Sequence, residues 1–129
     1  MNEDVLIAIA VALIAVATLA LATALGAPLV SWLLRRIEPA AATPGLLRGG
    51  MWVGVLERVM VTGGILIGMP EVVAVVIAIK GLGRYPELRD TAADVRSEAA
   101  ERFIIGTLAS LIWAGALGVL GRWAILALL

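Results

Sequence analysis

Long apolar runs separated by short polar segments dominate the chain. The first run, from Val5 to Leu34, contains thirty positions without a charged side chain, whereas a membrane-spanning helix needs about 20. Large aliphatic residues alternate with Ala along it, which is typical of a strand, but a single strand in lipid leaves its backbone polar groups unsatisfied. The run therefore predicts a helix over residues 5–34, and Pro28 is expected either to kink this helix or to end its membrane portion.

A cleaved signal peptide is the alternative interpretation of this first run. Residues 1–4 are acidic where a signal peptide is basic, and the apolar run is longer than the usual hydrophobic region of such a peptide. Ala22-Thr23-Ala24 has the small residues of a cleavage site. The acidic start and the length favour a segment that stays in the protein.

Three further helices are predicted after a polar loop that is rich in turn formers. They cover residues 50–68, 70–84 and 103–121, and the sequence Met69-Pro70-Glu71 predicts a tight turn between the first two of these. The helix over residues 70–84 is expected to end before Pro86. At 1.5 Å per residue it is about 22 Å long, which is short for a bilayer.

Composition agrees with a membrane protein and excludes several kinds of site. Of the 129 residues, 62% are hydrophobic and 16% are charged, against about 25% charged in soluble domains. The predicted fold is an all-α integral membrane protein: a four-helix transmembrane bundle with a tight hairpin between its second and third helices, in one polytopic domain over residues 1–129. The chain has no Cys and no His, so disulfides, imidazole bases and Cys/His metal sites are absent, and no cofactor is expected.

The placement of the charges predicts an orientation. Ten basic and ten acidic residues give no indication of a nucleic-acid partner. Basic residues fall in the loop after the first helix and in the polar segment 86–102, which is predicted to form a solvated or headgroup-level helix. They are Arg35, Arg36, Arg48, Arg89, Arg96 and Arg102. The positive-inside rule places both basic segments in the cytoplasm and both termini outside.

Small residues recur at helical spacing on the second and fourth predicted helices. On the second helix one face carries Gly50, Gly54, Glu57, Val61, Gly64 and Gly68, and on the fourth a stripe carries Gly106, Ser110, Ala114 and Gly118. Such stripes permit close helix contact. We expect them to bring copies of the chain together, because four short spans rarely enclose a pathway alone, and this predicts a homo-oligomer.

Glu57 and Lys80 lie at nearly equal distances on either side of the predicted turn. An antiparallel hairpin brings them to one depth, and Thr107 and Ser110 on the last helix fall at a similar level. A bare carboxylate in the membrane costs about 2.5–3.5 kcal/mol on insertion scales. We therefore predict an intramembrane Glu57–Lys80 pair with hydrogen bonds from Thr107 and Ser110. The alternatives are that the pair only fixes the register of two spans, or that Arg58 and Lys80 extend to lipid phosphates.

Arg58 lies 100° around the helix from Glu57. It is therefore expected to face a neighbouring subunit or to reach the lipid headgroups. Arg58 and Lys80 against Glu57 make the local charge positive, which favours an anionic ligand or an anionic headgroup unless Glu98 or Glu101 folds in. Arg84 and Glu101 are the further residues predicted to contact such a ligand.

Sequence motifs for soluble enzymes are missing. Gly81-Leu82-Gly83 is too short for a nucleotide-binding loop. Four carboxylates, Asp90, Asp94, Glu98 and Glu101, lack the glycine-bearing loop spacing of a calcium site, so no metal site is predicted. Ser and Thr are present without His, so a hydrolase triad is not available. An enzyme is not expected.

Three short motifs between Gly50 and Ser110 resemble those of a known family. They are Leu56-Glu57-Arg58, Ala78-Ile79-Lys80 with Arg84, and Glu101 followed by Ile105-Gly106-Thr107-Leu108 and Ser110. They are similar to the L-E-R, A-K-x-x-x-R and I-G-T-L-x-S motifs in successive spans of a family of small bacterial inner-membrane proteins and membrane domains. The resemblance covers about half of the chain, omits the first helix, and implies that these charged and polar residues belong together. It implies a bacterial cytoplasmic membrane and no particular activity.

Two functions fit these observations, and a third has little support. The first is transport or permeation of an ion or small anionic solute through a homo-oligomer in the lipid bilayer. The second is a structural or accessory subunit without a pathway, in which the charges hold helices together. The third, an intramembrane enzyme acting on lipid through Glu57, lacks a nucleophile–base pair.

Overall fold

Four α-helices make up the part of the chain that the computed structural model describes, which is residues 2–37, 48–89 and 93–129. Side-chain surroundings are described for residues 2–36, 52–83, 101–102 and 104–129. The helices are α1 (Glu3–Ile37), α2 (Arg48–Leu66), α3 (Val72–Arg89) and α4 (Ala93–Leu128). An all-helical fold of four helices is thus confirmed. Arg35, Arg36 and Arg48, predicted to lie in the loop between the first two helices, instead lie in α1 and α2, because the helices extend further than the apolar runs. Residues 38–47 of that loop lie outside the described residues.

Two prolines predicted to end or bend helices lie inside longer ones. α1 continues through Pro28 to Ile37, and α3 continues through Pro86 to Arg89, so the prediction that the third helix ends before Pro86 is wrong. A proline removes one backbone hydrogen bond and crowds the preceding turn, but the remaining ladder can continue past it. α4 begins at Ala93, so the second half of the polar segment 86–102 forms its first turns.

A glycine cap and a short turn join α2 to α3. Gly68 has a positive φ of 83°, which a residue without Cβ adopts readily. Its N–H donates to Ile65 O at 3.1 Å, and the N–H of Met69 donates to Gly64 O at 2.7 Å. These two bonds form a Schellman motif, which satisfies the last carbonyls of α2 and reverses the chain. The tight hairpin predicted around Met69 is present.

The helix directions follow from the contacts between them. α2 and α4 run parallel, because Thr62 Oγ1 donates to Ala114 O at 3.0 Å and Ile65, further along α2, packs on Gly118, further along α4. α1 runs antiparallel to α4, and α3 packs antiparallel to α2 after the turn. Val61, Val76 and Ala114, from α2, α3 and α4, form the buried apolar centre.

Few side chains are buried among the described residues, and as many of those are polar as apolar, while many large apolar side chains are exposed. Thr18, Arg58, Thr62 and Ser110 are buried, and the buried apolar residues are only Ala and Val among the described positions. Many long aliphatic and aromatic side chains face outward, including Leu13, Val16, Ile67, Leu82, Ile112, Val119, Leu120, Trp52 and Trp123. This distribution is the reverse of that in soluble domains, where large apolar side chains fill the core.

Two of the described helices are long and apolar enough to cross a membrane. They are Glu3–Arg36, with mean hydropathy 3.0, and Ile104–Leu128, with mean hydropathy 1.9. α3 contributes a shorter apolar stretch, Val72–Gly83. α1 also has acidic residues in its first turn and Arg35 and Arg36 in its last turn, which complement the helix dipole.

Candidate functional site

The hairpin brings Glu57 and Lys80 together. Glu57 lies nine residues before the end of α2 at Leu66, and Lys80 lies eight residues after the start of α3 at Val72, so the two side chains reach one level. Lys80 Nζ donates to Glu57 Oε2 at 2.8 Å. The side chains are 17% and 12% exposed. The ion pair that the sequence predicts is present, and both charges are neutralised locally.

Arg58 points to the other side of α2, between α1 and α4. It is 5% exposed, and its Nη1 donates to Ser110 Oγ on α4 at 3.3 Å. Its Nε and Nη2 are buried and have no hydrogen-bond partner among the described residues. The expectation that Arg58 faces another subunit or the headgroups is therefore wrong.

Glycines let the neighbouring helices close over this guanidinium. A Cβ built on Gly26 of α1 would clash with Cδ and Nε of Arg58, and a Cβ on Gly54 would lie 3.3 Å from its Nη1. Gly26 is the single glycine of α1. The α1 backbone therefore approaches the arginine where no side chain intervenes, and this is the physical reason that Arg58 is enclosed.

Neither predicted hydroxyl bonds the ion pair among the described residues: Ser110 bonds Arg58, and Thr107 has no partner there. Ser110 accepts from Arg58, because the face of α4 that carries it packs on α1 and α2. Thr107 lies one turn earlier on α4 and so shares that face. Its Oγ1 is buried and has no hydrogen-bond partner in the described part of the chain. The prediction that Thr107 and Ser110 support Glu57 and Lys80 is thus corrected.

The two other predicted ligand contacts are Glu101 and Arg84. Glu101 is exposed on α4, nine residues or about 13 Å along the helix from Ser110, so it does not fold in towards Arg58. Arg84 lies on α3, and its side chain is outside the described part. Of the two predicted anion contacts whose side chains are described, Arg58 is enclosed by the bundle and Glu101 is exposed.

The glycine stripes are used inside the chain. Gly64 packs on Val72 and Met69 O, Gly68 on Arg122, Gly106 on Val30 and Leu34, and Gly118 on Ile65. Ala114 is fully buried in the apolar centre. The surroundings of Gly50 lie outside the described part. We expected these stripes to join subunits, and instead they set the separations of α1, α2 and α4 in one bundle.

Several contributors were missed by sequence reasoning. Thr62 bonds the Ala114 carbonyl inside the bundle, and Arg122 Nη1 donates to Leu66 O at 3.4 Å near the end of α2. Gly121 packs closely on Thr18 and Leu66. One signal was available for Gly26, since a lone glycine in a long aliphatic helix marks a place where another group approaches the backbone closely.

The unpaired groups at Arg58 define the chemistry of the site. Nε and Nη2 are donors only, and the hydroxyls of Thr107 and Ser110 can also donate. Glu57 and Lys80 cancel, so Arg58 is left as a positive charge in excess. Such a donor set fits an anion or another strong acceptor. No group of three or more acidic, His or Cys side chains suited to a metal occurs among the described residues.

Comparisons with known proteins give no relative. No protein-family model matches the chain, and no curated protein or solved structure is significantly similar to it.

Proposed function

We propose that this protein is an integral membrane protein of four spans that lets a small anion cross the bilayer. Four observations on the surface and interior support the membrane location: two helices long and apolar enough to cross, a large apolar surface, a small-residue interior, and buried hydroxyls at helix contacts. α2 and α3 then cross as a hairpin, which buries Glu57 and Lys80 against each other.

The orientation that we propose has both termini outside and the basic segments in the bacterial cytoplasm. Arg35, Arg36 and Arg102 lie at the end of the bundle opposite to the α2–α3 turn, and the positive-inside rule puts that end inside. A phosphatase fused after Leu129 tests this orientation, because the enzyme is active only outside the cytoplasm.

Arg58 is the observation that supports an anion as the transported species. It lies ten residues, or about 15 Å, from the start of α2 and eight residues, or about 12 Å, from its end, so it is near the middle of the span. A charge at that depth is costly and points to a function unless it is paired. Two of its three nitrogens have no partner among the described residues, and an anion bound there would supply acceptors.

A homo-oligomer remains part of this proposal, with a different contact surface. The stripes of α2 and α4 pack inside the chain, so a second copy would meet the outer face of α1 or α3. On α3, four large apolar side chains are exposed, namely Val75, Ile77, Ile79 and Leu82. Chemical crosslinking in membranes, followed by denaturing electrophoresis, tests for such an oligomer.

Flux through proteoliposomes tests the function. We expect chloride or nitrate flux in the unmodified protein, and a decrease of at least about ten-fold in Arg58→Gln, since a hydrogen bond to a charged group contributes roughly 1.5–3 kcal/mol. Arg122→Gln is the matched control, because it removes an arginine from the same bundle away from Ser110 and Thr107. Equal flux in the unmodified protein and in Arg58→Gln contradicts the proposal.

A structural or accessory subunit is the second candidate. The closed Glu57–Lys80 pair and the Thr62 bond to α4 favour it, because both hold helices in register without exposing a ligand site. A subunit of this kind would show no anion flux. Its free energy of unfolding would also be independent of added nitrate, whereas a bound anion stabilises by about 2.7 kcal/mol at a hundred times its Kd.

A further inference from the structure

An apolar groove runs along the outside of the bundle between α1 and α4. Its volume is about 450 Å³, within the range of pockets that bind small molecules. Along α4 it extends from Ile105 to Trp113, which is eight residues or about 12 Å. The lining is entirely apolar or aromatic and comprises Leu29, Val30, Trp32, Leu33, Ile105, Leu108, Ala109, Ile112 and Trp113.

The cross-section of the groove is that of an open trough. Val30, Ala109 and Trp113 are half-buried and form its floor, while Leu108 and Ile112 are 52% and 70% exposed and form one wall. The far end is fixed by Trp113, whose Nε1 donates to Leu21 O on α1 at 3.3 Å. The trough is therefore held between two helices that are tied together.

Basic side chains stand at the other end. Trp32 lines the groove, and the guanidinium of Arg36 lies 5.3 Å from the centre of its ring, in cation–π contact. Arg35 is also exposed, and its Nε donates to Ser31 O at 3.3 Å. These cations lie one turn beyond the apolar lining, at the helix end where a headgroup region is expected.

α4 places one charge of each sign at the same end. Glu101 is exposed and Arg102 is half-buried, one turn before the groove residue Ile105. Among the described side chains at this end there are thus three cations and one carboxylate. Arg35 and Arg36 complement an anion, and the apolar trough below them complements a hydrocarbon chain.

We propose that this groove binds one acyl chain of an anionic phospholipid, with the lipid phosphate at Arg35 and Arg36. The occupant comes from the bilayer, so the inference rests on the membrane location proposed above. It is separate from the Arg58 site, because the groove is on the outer surface and Arg58 is enclosed. A second copy of the chain fits less well, since the basic rim would meet an identical basic rim.

The four tryptophans allow a direct test. Trp32 and Trp113 line the groove, whereas Trp52 and Trp123 do not and are 64% and 71% exposed. Replacing Trp52 and Trp123 by Phe leaves fluorescence from the groove alone, and replacing Trp32 and Trp113 leaves it from the outer surface alone. Phospholipids with brominated acyl chains quench any tryptophan that they contact, and can carry a phosphatidylglycerol or a phosphatidylcholine headgroup.

We expect brominated phosphatidylglycerol to quench the groove tryptophans more strongly than brominated phosphatidylcholine at equal mole fraction. Each change, Arg35→Gln or Arg36→Gln, should lower this preference about five-fold, the factor that corresponds to roughly 1 kcal/mol per basic residue near a membrane surface. Ala109→Phe fills the floor and should reduce groove quenching. Ala74→Phe, at an exposed position of α3 outside the groove, should not.

Three results would overturn the lipid site: equal quenching by both lipids, a preference that persists in the doubly substituted Arg35→Gln, Arg36→Gln protein, or quenching of the outer tryptophans without the groove tryptophans. The last result indicates that protein covers the groove. Quenching of neither pair by either lipid instead contradicts the membrane location itself. The two failures are therefore distinguishable.

Discussion

Consecutive residues of α2 carry charges that the fold treats in opposite ways. Glu57 meets Lys80 across the hairpin at 2.8 Å, so each charge has a partner of the opposite sign. Arg58, one position later, has a serine hydroxyl at 3.3 Å and two buried nitrogens without a partner among the described residues. The first site has its charges paired, whereas the second has two donors without an acceptor among the described residues.

The difference shows which charge is structural and which suggests a ligand. A paired charge in a low-dielectric interior can fix register with little net gain, because desolvation offsets the attraction. Arg58 has more donors than acceptors among the described residues, so part of the cost of burying it is not offset by hydrogen bonds. Neighbouring charges on one helix can therefore have unrelated roles, and the partners of each decide between them.

The largest effect on the free energy of unfolding should come from removing one partner of the Glu57–Lys80 ion pair. Glu57→Gln removes the carboxylate that neutralises Lys80, and we expect the free energy of unfolding in detergent to fall by about 3 kcal/mol. Replacing Lys80 by Met in the same protein should recover most of that loss, because the lysine charge that lost its partner is then removed as well. Denaturant titrations followed by circular dichroism measure both values.

Glu101→Gln is the matched control for the pair. It removes an exposed carboxylate from α4, and such surface changes usually stay within about 0.5 kcal/mol. If Glu57→Gln is as stable as Glu101→Gln, the ion pair contributes nothing and the contrast with Arg58 disappears.

A smaller effect on the free energy of unfolding is expected from adding a methyl group next to Arg58. In Gly26→Ala the new methyl group meets Cδ and Nε of Arg58, and overpacking of this kind costs roughly 1–3 kcal/mol. Gly63→Ala adds the same methyl group to α2, where nothing lies within 4 Å, and should gain up to about 1 kcal/mol from helix propensity. Thermal or denaturant unfolding of the two variants compares them, and equal stabilities argue against an enclosed Arg58.

The depth of the polar residues along the bundle could be predicted from the sequence, but the neighbouring helix that each side chain faces could not. The short turn at Met69 fixes how far Glu57 and Lys80 lie from it, and the constant rise of a helix converts residue counts into depth. That reasoning predicts the pair. It also predicts that Thr107 and Ser110 lie at a similar depth to the pair, but it wrongly assigns their hydroxyls to Glu57 and Lys80.

The direction in which a side chain of α2 points depends on how α1 and α4 pack against α2. The periodicity of the sequence does not specify how the segments that connect α1 and α4 to the hairpin are folded. Nothing local in the sequence therefore indicates that Gly26 covers Arg58. The same limitation applies to the glycine stripes. Spacing shows that a helix can be approached closely, while only the tertiary arrangement shows whether the approaching helix belongs to the same chain.

The smallest effect on the free energy of unfolding is expected at two threonines, one with a hydrogen-bond partner and one without a partner among the described residues. Thr62 Oγ1 donates to Ala114 O at 3.0 Å, so Thr62→Val keeps the shape, removes the bond and should cost about 0.6–1.7 kcal/mol, the range for side-chain hydrogen bonds in membranes. Thr107 has the same side chain and a buried Oγ1 without a partner among the described residues. Thr107→Val should therefore leave the free energy of unfolding unchanged or raise it by up to about 1 kcal/mol.

Added nitrate should separate the two threonines further. If Thr107 serves the Arg58 site, Thr107→Val reduces the stabilisation by nitrate that the unmodified protein shows, because one donor to the anion is lost. Thr62→Val should keep the full nitrate response while starting from a lower stability. Should Thr107→Val instead lose as much stability as Thr62→Val without nitrate, its hydroxyl is bonded within the folded protein, and Arg58 and Ser110 alone would have to hold the anion.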